Sequence, residues 1–231
     1  MFKTETHLHV RDVSLCAKLY AEDMVKLYHE AGYTTLIVTD HYAERTLERL
    51  GGDSWEEQVD RFFTGYRNVK AAGEKLGMVV LPGAEIGFPQ NPNNHYLLYG
   101  VDEAFLKGMP DVWEMSIESF YPYAKEHGIT VVQAHPYRDG LCQPTSEFVD
   151  AIEVYNSSPR HADYPEESAA AALQGGKPMT AGSDAHRTED AGLSGVATEK
   201  PIYTIDDYVQ ALMNGNLKII KGEDICDLPH Q

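Results

Sequence analysis

Short apolar runs rich in β-branched residues alternate along this 231-residue chain with longer stretches whose apolar positions recur every three or four residues. The short runs predict buried strands at residues 2–9, 34–39, 78–81, 96–101, 130–134, 151–155, 178–181 and 218–220. The longer stretches predict helices, and three carry start signals. Ser54-Trp-Glu-Glu57 reads as a capping box ahead of Val59, Phe62, Phe63, Tyr66 and Val69. Asp111-Val-Trp-Glu114 opens a second helix with Trp113, Ile117, Phe120, Tyr121 and Ala124 on one face and Pro122 as a kink, and Thr204-Ile-Asp-Asp207 opens a third. The aromatic stripes read as core packing. Strands that alternate with helices predict parallel pairing through crossover connections. No repeat, low-complexity tract or Ser/Gly-rich linker divides the chain, so the expectation is one α/β domain, residues 1–231, built as a TIM-like barrel with its function at the C-terminal strand ends.

Six of the ten histidines and three acidic residues fall into short clusters, mostly where strand-like runs end: His7-Leu8-His9, Asp40-His41, Glu85, His95, His135 and Asp184-Ala185-His186. Side chains two apart in a strand point to the same face, so His7 and His9 can reach one ion together, and so can Asp184 and His186. Imidazole and carboxylate are ligands that zinc, manganese and iron share. His95 is the exception, because it opens its strand rather than ending one. Asp40 faces away from His41 in an extended segment. It is a candidate catalytic residue acting through a neighbouring ligand, or else a helix N-cap.

The segments Thr-Glu-Thr-His7-Leu-His9, Val-Thr-Asp40-His41, Pro-Gly-Ala-Glu85, His95-Tyr-Leu-Leu-Tyr-Gly, Ala-His135-Pro and Gly-Ser-Asp184-Ala-His186 resemble the successive motifs of the PHP (polymerase and histidinol phosphatase) family, in family order from near the N-terminus to Gly192. The resemblance implies a distorted (β/α)7 barrel and two to three divalent ions, zinc, manganese or iron. It puts His7, His9, Glu85 and Asp184 on the first ion, with Glu85 bridging to a second held by His95 and His135, and His41 and His186 on a third. Cys16 stands where many family members carry an Asp or His for that third ion. It reads either as a thiolate ligand or as a small buried hydrophobe. Asn156 occupies a late-strand position where some members place another ligand; here it reads as a supporting or substrate hydrogen-bond donor, or as a turn residue.

Adjacent ions lower the pKa of bound water and can trap a bridging hydroxide for in-line attack at phosphorus. Hydrolysis of a small phosphate ester follows as the expected activity, with histidinol phosphate, a nucleotide or another phosphomonoester as substrate. A metal amidohydrolase also carries a His-x-His after its first strand, but no carbamylation-type lysine stands among the clusters, and the early Glu85 with His95 speaks against it. A non-catalytic metal-binding partner module is the other alternative, disfavoured because an idle site has no physical reason to keep these costly groups together.

Phosphate needs positive charge beyond the metals. Arg11, Arg138, Arg160 and Arg187 all lie within a few residues of a cluster or of Asn156. Arg138, Arg160, His161 and Arg187 are the expected substrate contacts, and Arg160 is the expected clamp on the developing charge. The remaining histidines have duller roles: His29 and His127 at helix C-termini, His230 in a polar tail. The net charge of −17 disfavours a nucleic-acid partner. Three cysteines without a CxxC spacing, no apolar run long enough to span a bilayer and no apolar leader segment make a soluble cytoplasmic protein the expectation.

Overall fold

A computed structural model describes residues 1–229; His230, assigned above to a polar tail, lies outside the described residues. The chain runs β1 (Phe2–Leu8), α1 (Ala21–Glu30), β2 (Tyr33–Val38), β3 (His41–Tyr42), α2 (Glu44–Leu50), α3 (Trp55–Phe62), α4 (Thr64–Lys75), β4 (Val79–Phe88), β5 (Asn91–Tyr99), α5 (Glu103–Lys107), α6 (Ile117–Glu126), β6 (Thr130–Ala134), β7 (Ala151–Asn156), α7 (Pro165–Gly175), β8 (Met179–Gly182), β9 (Ser194–Thr198), α8 (Ile205–Met213), β10 (Lys218–Lys221) and β11 (Asp224–Cys226). The strands form one sheet in the order β11-β10-β9-β1-β2-β4-β5-β6-β7-β8, with β3 beside β4.

This is a mixed α/β fold with a curled half-barrel sheet, not the regular barrel of parallel strand-helix units expected from the alternation. Pairing is parallel from β1 through β2 to β4 and from β6 through β7 to β8, as crossover helices dictate. It turns antiparallel at β5, because only Pro89 and Gln90 separate β4 from β5 and so short a link can build only a hairpin. Strands β9, β10 and β11 add a second antiparallel run on the far side of β1. The curl brings the chain after β8 back to β1 through one isolated bridge, Leu8–Ala185. Gly182 permits this approach: a Cβ there would lie 2.5 Å from that of His7.

The antiparallel hairpin also corrects the reading of His95. The strand begins at Asn91, so His95 is inside it, paired across to Gly87 and Ala134. Because β5 runs against its neighbours, its first half lies at their C-terminal ends, and His95 reaches the same rim as the other clusters.

The helix signals are met in part. The Ser54 hydroxyl accepts from Glu57 N, but the stripe that follows breaks at Phe63 into α3 and α4. Asp111 opens only a 3-10 turn, Val112–Glu114; the longer helix starts at Ile117 behind a Ser116–Ser119 capping box, with Pro122 inside it. Thr204 caps α8 as its sequence predicts. His29 lies in the last turn of α1 and His127 caps α6.

Apolar side chains fill three clusters: one between α3–α7 and strands β4–β8, one joining α1 and α4 to β1 and β2, and one packing Tyr208 and Leu212 of α8 against Ile37, Leu81, Leu97 and Val132. Tyr208 links on through Tyr99, whose hydroxyl donates to Thr6 O at 2.9 Å, directly beside His7. The floor under the histidines is therefore packed and hydrogen-bonded to the core. No helix among the described residues is long and apolar enough to cross a membrane.

Candidate metal centre

Glu85, in β4, stands at the middle of the clusters, and its two oxygens face different sets of histidines. Oε2 lies 2.7 Å from His41 Nδ1, 3.4 Å from His9 Nε2 and 3.7 Å from His7 Nε2. Oε1 lies 2.7 Å from His95 Nδ1 and 3.1 Å from His135 Nε2. Asp184 closes the opposite side, its Oδ1 being 3.2 Å from His9 Nε2, 3.6 Å from His7 Nε2 and 3.3 Å from His186 Nδ1. Four overlapping groups have ligand atoms close enough to hold an ion: His7/His9/Glu85, His7/His135/Asp184, His41/Glu85/His95 and His9/His41/His186.

The chemistry of these atoms fits metal ions. His7 Nε2 and both ring nitrogens of His9 are buried without a hydrogen-bond partner among the described residues. Leaving such groups unsatisfied in the interior costs about 1–3 kcal/mol each, and a shared cation satisfies them together. Burial and the neighbouring His41 and His186 push His9 well below the ordinary imidazole range, and burial lowers His135 also. Both keep a free lone pair at neutral pH. Burial alone would raise Glu85, but His41 and His95 outweigh it and hold the carboxylate ionised; His7 does the same for Asp184.

Two of the candidate ligand residues carry left-handed backbone, His135 with φ 30° and Asp184 with φ 50°. Non-glycine residues pay for such conformations only where surrounding bonds over-determine them. Here Glu153 does so for His135, accepting its backbone N–H at 2.8 Å. The same carboxylate takes His7 Nδ1 at 2.9 Å, which fixes the ring with Nε2 turned into the centre. Glu153 was not singled out from the sequence. It was legible as a carboxylate inside an otherwise apolar strand, a placement tolerated only with dedicated partners. Glu5 is a second such group, its Oε1 accepting from the backbones of Thr6, His7 and Ser183 and its Oε2 from Tyr28.

Several expected roles are reassigned by the geometry. Asp40 neither enters the centre nor caps α2, whose N-cap is Ala43. Its Oδ1 accepts from Val10 N and the Ser14 hydroxyl, while Oδ2 faces Gly65 of α4, so it pins the loop after β1. Burial pushes its carboxyl up to about 7. Asn156 serves both as support and as turn residue: Nδ2 donates to Glu153 at 2.9 Å and Oδ1 accepts from Ser158 N. Cys16 is exposed, which rules out the buried-hydrophobe reading, and it shares a cleft with His41 and His186. Burial of the sulfur would raise the thiol, yet His186 and His41 outweigh it and bring it down to about 6.

Arg160 is not free to clamp a ligand. Its Nη1 lies 2.7 Å from both oxygens of buried Asp190, and Nη2 donates to Ser158 Oγ and Asp184 O. Asp190 in turn accepts from the backbones of His186 and Arg187, so the Arg160–Asp190 pair braces the turn that presents Asp184 and His186. His161 is paired with Asp139 at 2.8 Å, and Arg11 donates to Leu15 O away from the centre. Arg138 and Arg187 are the arginines left facing the centre; the first has Nη1 3.5 Å from His135 Nε2, the second has Nη1 3.8 Å from Glu189 Oε1 and a buried Nε without a partner among the described residues.

Two clefts meet over this cluster. The smaller, about 270 Å³, is lined by Arg138, Arg160, His161, Arg187 and Asp184. The larger, about 720 Å³, runs the other way along α2 and the β4–β5 hairpin. Cys16, His41, Glu85 and His95 belong to both.

A family model described as PHP-associated matches residues 166–217, which span α7, β8, the Asp184–His186 motif, β9 and α8. No protein of curated function matches the chain. Among solved structures the chain is similar to a two-domain protein from Bacteroides vulgatus described as containing a predicted PHP-like metal-dependent phosphoesterase (17% identity, TM-score 0.66, covering 97% of this chain and 66% of that one). It is similar also to a protein from Bifidobacterium adolescentis provisionally described as a metal-dependent phosphoesterase (15%, TM-score 0.57, 92% and 96%). A third is an amidohydrolase from Chromobacterium violaceum with bound sulfate and no metal (16%, TM-score 0.60, 96% and 99%). At these identities the likeness is one of fold.

Proposed function

We propose that this chain, a PHP family protein by its ordered motifs and its PHP-associated segment, is a metal-dependent hydrolase whose substrate is a small phosphate monoester. The observation that carries the reading is the set of orphaned, buried ring nitrogens of His7 and His9 gathered against Glu85, beside a cleft lined by Arg138 and Arg187. His7, His9, Glu85 and Asp184 would hold one ion, Glu85 with His95 and His135 a second, and His41 with His186 and Cys16 a third. Bound divalent ions supply a water-derived nucleophile at neutral pH and charge for both oxygens of an in-line displacement.

The chain's own groups do the rest. Glu153 keeps His7 in one tautomer, the Arg160–Asp190 pair holds the Asp184–His186 turn, and Arg138 and Arg187 meet the outer oxygens of a phosphate dianion with forked N–H donors. The amidohydrolase reading lacks its usual lysine: among the described residues no lysine lines either cleft.

The test is elemental analysis with a substrate panel. The purified protein is expected to carry divalent transition ions, to hydrolyse phosphate monoesters, to lose that activity on chelation and to regain it when zinc, manganese or iron is restored. Amide hydrolysis without ester hydrolysis would move the protein to the amidohydrolase reading, and metal-free protein indifferent to chelators would sink the site.

A further inference from the structure

The two clefts that share the candidate centre differ in chemistry. The smaller is lined almost wholly by charged and imidazole side chains; the larger carries Glu44, Arg45 and Arg49 on its α2 side but an apolar wall of Leu15, Tyr42, Phe88, Pro89, Pro92 and Trp113. At about 720 Å³ the larger cleft is the size that usually takes a whole small molecule. Its apolar walls are held firm from behind. Tyr42 packs against Trp113 at 5.2 Å and Phe62 at 4.9 Å between ring centroids, and Phe88 against Phe120 at 5.2 Å. Leu15 is 46% exposed at the mouth, and Pro89 and Pro92 stand exposed on the β4–β5 hairpin, so an apolar face lies open beside the ligand cluster.

Tyr42 adds a second, independent observation. The side chain is fully buried, yet its hydroxyl has no hydrogen-bond partner among the described residues. A buried phenol left unsatisfied is a cost that a polar substituent on a bound molecule can remove. The cleft therefore presents an apolar wall with an unsatisfied hydroxyl in it, next to His41, Glu85 and His95.

We infer that the larger cleft receives the alcohol part of the substrate, and that this alcohol carries an apolar aromatic ring rather than a polyol or sugar. The inference rests on the phosphoesterase reading above and deepens it: phosphate lies over the cluster toward Arg138 and Arg187, and the ring lies between Trp113 and Phe88. In the hydrolysis, water adds to phosphorus as the P–O bond to the alcohol breaks. The alcohol leaves with a proton, and the ring cleft holds it until release.

The experiment compares 2-phenylethyl phosphate with propyl phosphate on the metal-loaded protein. Both are primary alkyl esters of similar leaving-group chemistry, so the ring is the variable. In parallel, calorimetry measures binding of the non-hydrolysable 2-phenylethyl- and propylphosphonates. The ring is expected to raise kcat/KM and phosphonate affinity by about 10- to 100-fold, as burial of a phenyl face in a preformed slot allows. Trp113→Ala should bring the ratio close to one, and Trp113→Phe should restore most of it. Leu15→Glu, at an exposed position that leaves folding alone, should lower the ratio by setting a carboxylate in the apolar mouth.

Equal kcat/KM and equal binding for ring and propyl compounds would overturn the inference while leaving the phosphoesterase reading intact. Ring-selective phosphonate binding that depends on Trp113, in a protein that hydrolyses neither ester, would support the cleft assignment and overturn the reading beneath it.

Discussion

On the inner side of the centre, His7, His135 and Asp184 are fixed before any ligand arrives. Glu153 holds the ring of the first and the backbone of the second, and paired backbone bonds, His9 N to Ala185 O at 3.0 Å and Ala185 N to His7 O at 3.2 Å, lock the third into its left-handed turn. On the outer side, His41 and His95 are 26% and 23% exposed, and the ring Nδ1 of each rests on Glu85. One half is a preformed socket, and the rings of the other are oriented mainly by a shared carboxylate. On the proposed reading the inner position should take up metal first and tightest, while the outer one stays exchangeable and faces the two clefts.

The sharpest way to break this contrast is Glu85→Gln, because both halves depend on that carboxylate. The amide keeps the shape but loses the charge, so metal content should fall in both halves and activity should drop by more than about 100-fold. His29→Ala, on the remote end of α1, should leave metal content unchanged; equal metal loss in both variants would mean that the clusters do not act as one centre.

Glu153→Gln should separate the halves. It frees His7 to turn and loosens His135, so affinity at the inner position should weaken by about 10- to 100-fold with the outer one spared. Stepwise metal titration followed by calorimetry reads this directly, and a uniform loss at every step would show that the two halves are not distinct.

The smallest effect lies in the outermost layer of that support. Asp163 accepts the backbone N–H of Asn156, which in turn holds Glu153. Burial pushes the Asp163 carboxyl up from 3.8 to about 6. With the folded-state value raised, the native chain binds more protons than the unfolded one between about pH 4 and 6. The contribution to stability is then complete below about pH 4 and is lost as pH rises through about 6. Asp163→Asn should remove that slope, on the order of 1 kcal/mol across the window, in urea unfolding at pH 4, 5 and 6.5. Parallel pH curves for variant and parent would place Asp163 outside the support.

The contrast between the halves also marks what the sequence could carry. Histidines two apart at a strand end, and Asp-Ala-His after a strand, are local patterns, and the residues they pointed to do converge. What was missed depends on partners far away in the chain. Asn-Pro-Asn-Asn ahead of His95 has turn composition, and only pairing with β4 makes it a strand. Asp40 looks like a ligand neighbour until Gly65 receives it, and Arg160 looks like a phosphate clamp until Asp190, Ser158 and the Asp184 carbonyl take its donors. A carboxylate such as Glu153 has no motif at all; its meaning comes from the two histidines that reach it from β1 and β6.

The isolated bridge between Leu8 and Ala185 has a mechanical side. The sheet meets itself there along a seam, with His7 and His9 on one lip and Asp184 and His186 on the other. An ion gripping both lips would act as a buckle on a belt, adding its binding free energy to the closed form in proportion to its occupancy. Loading the centre would then reinforce a seam the backbone has already closed, and the metal supply around the protein would set how much further its sheet is held shut.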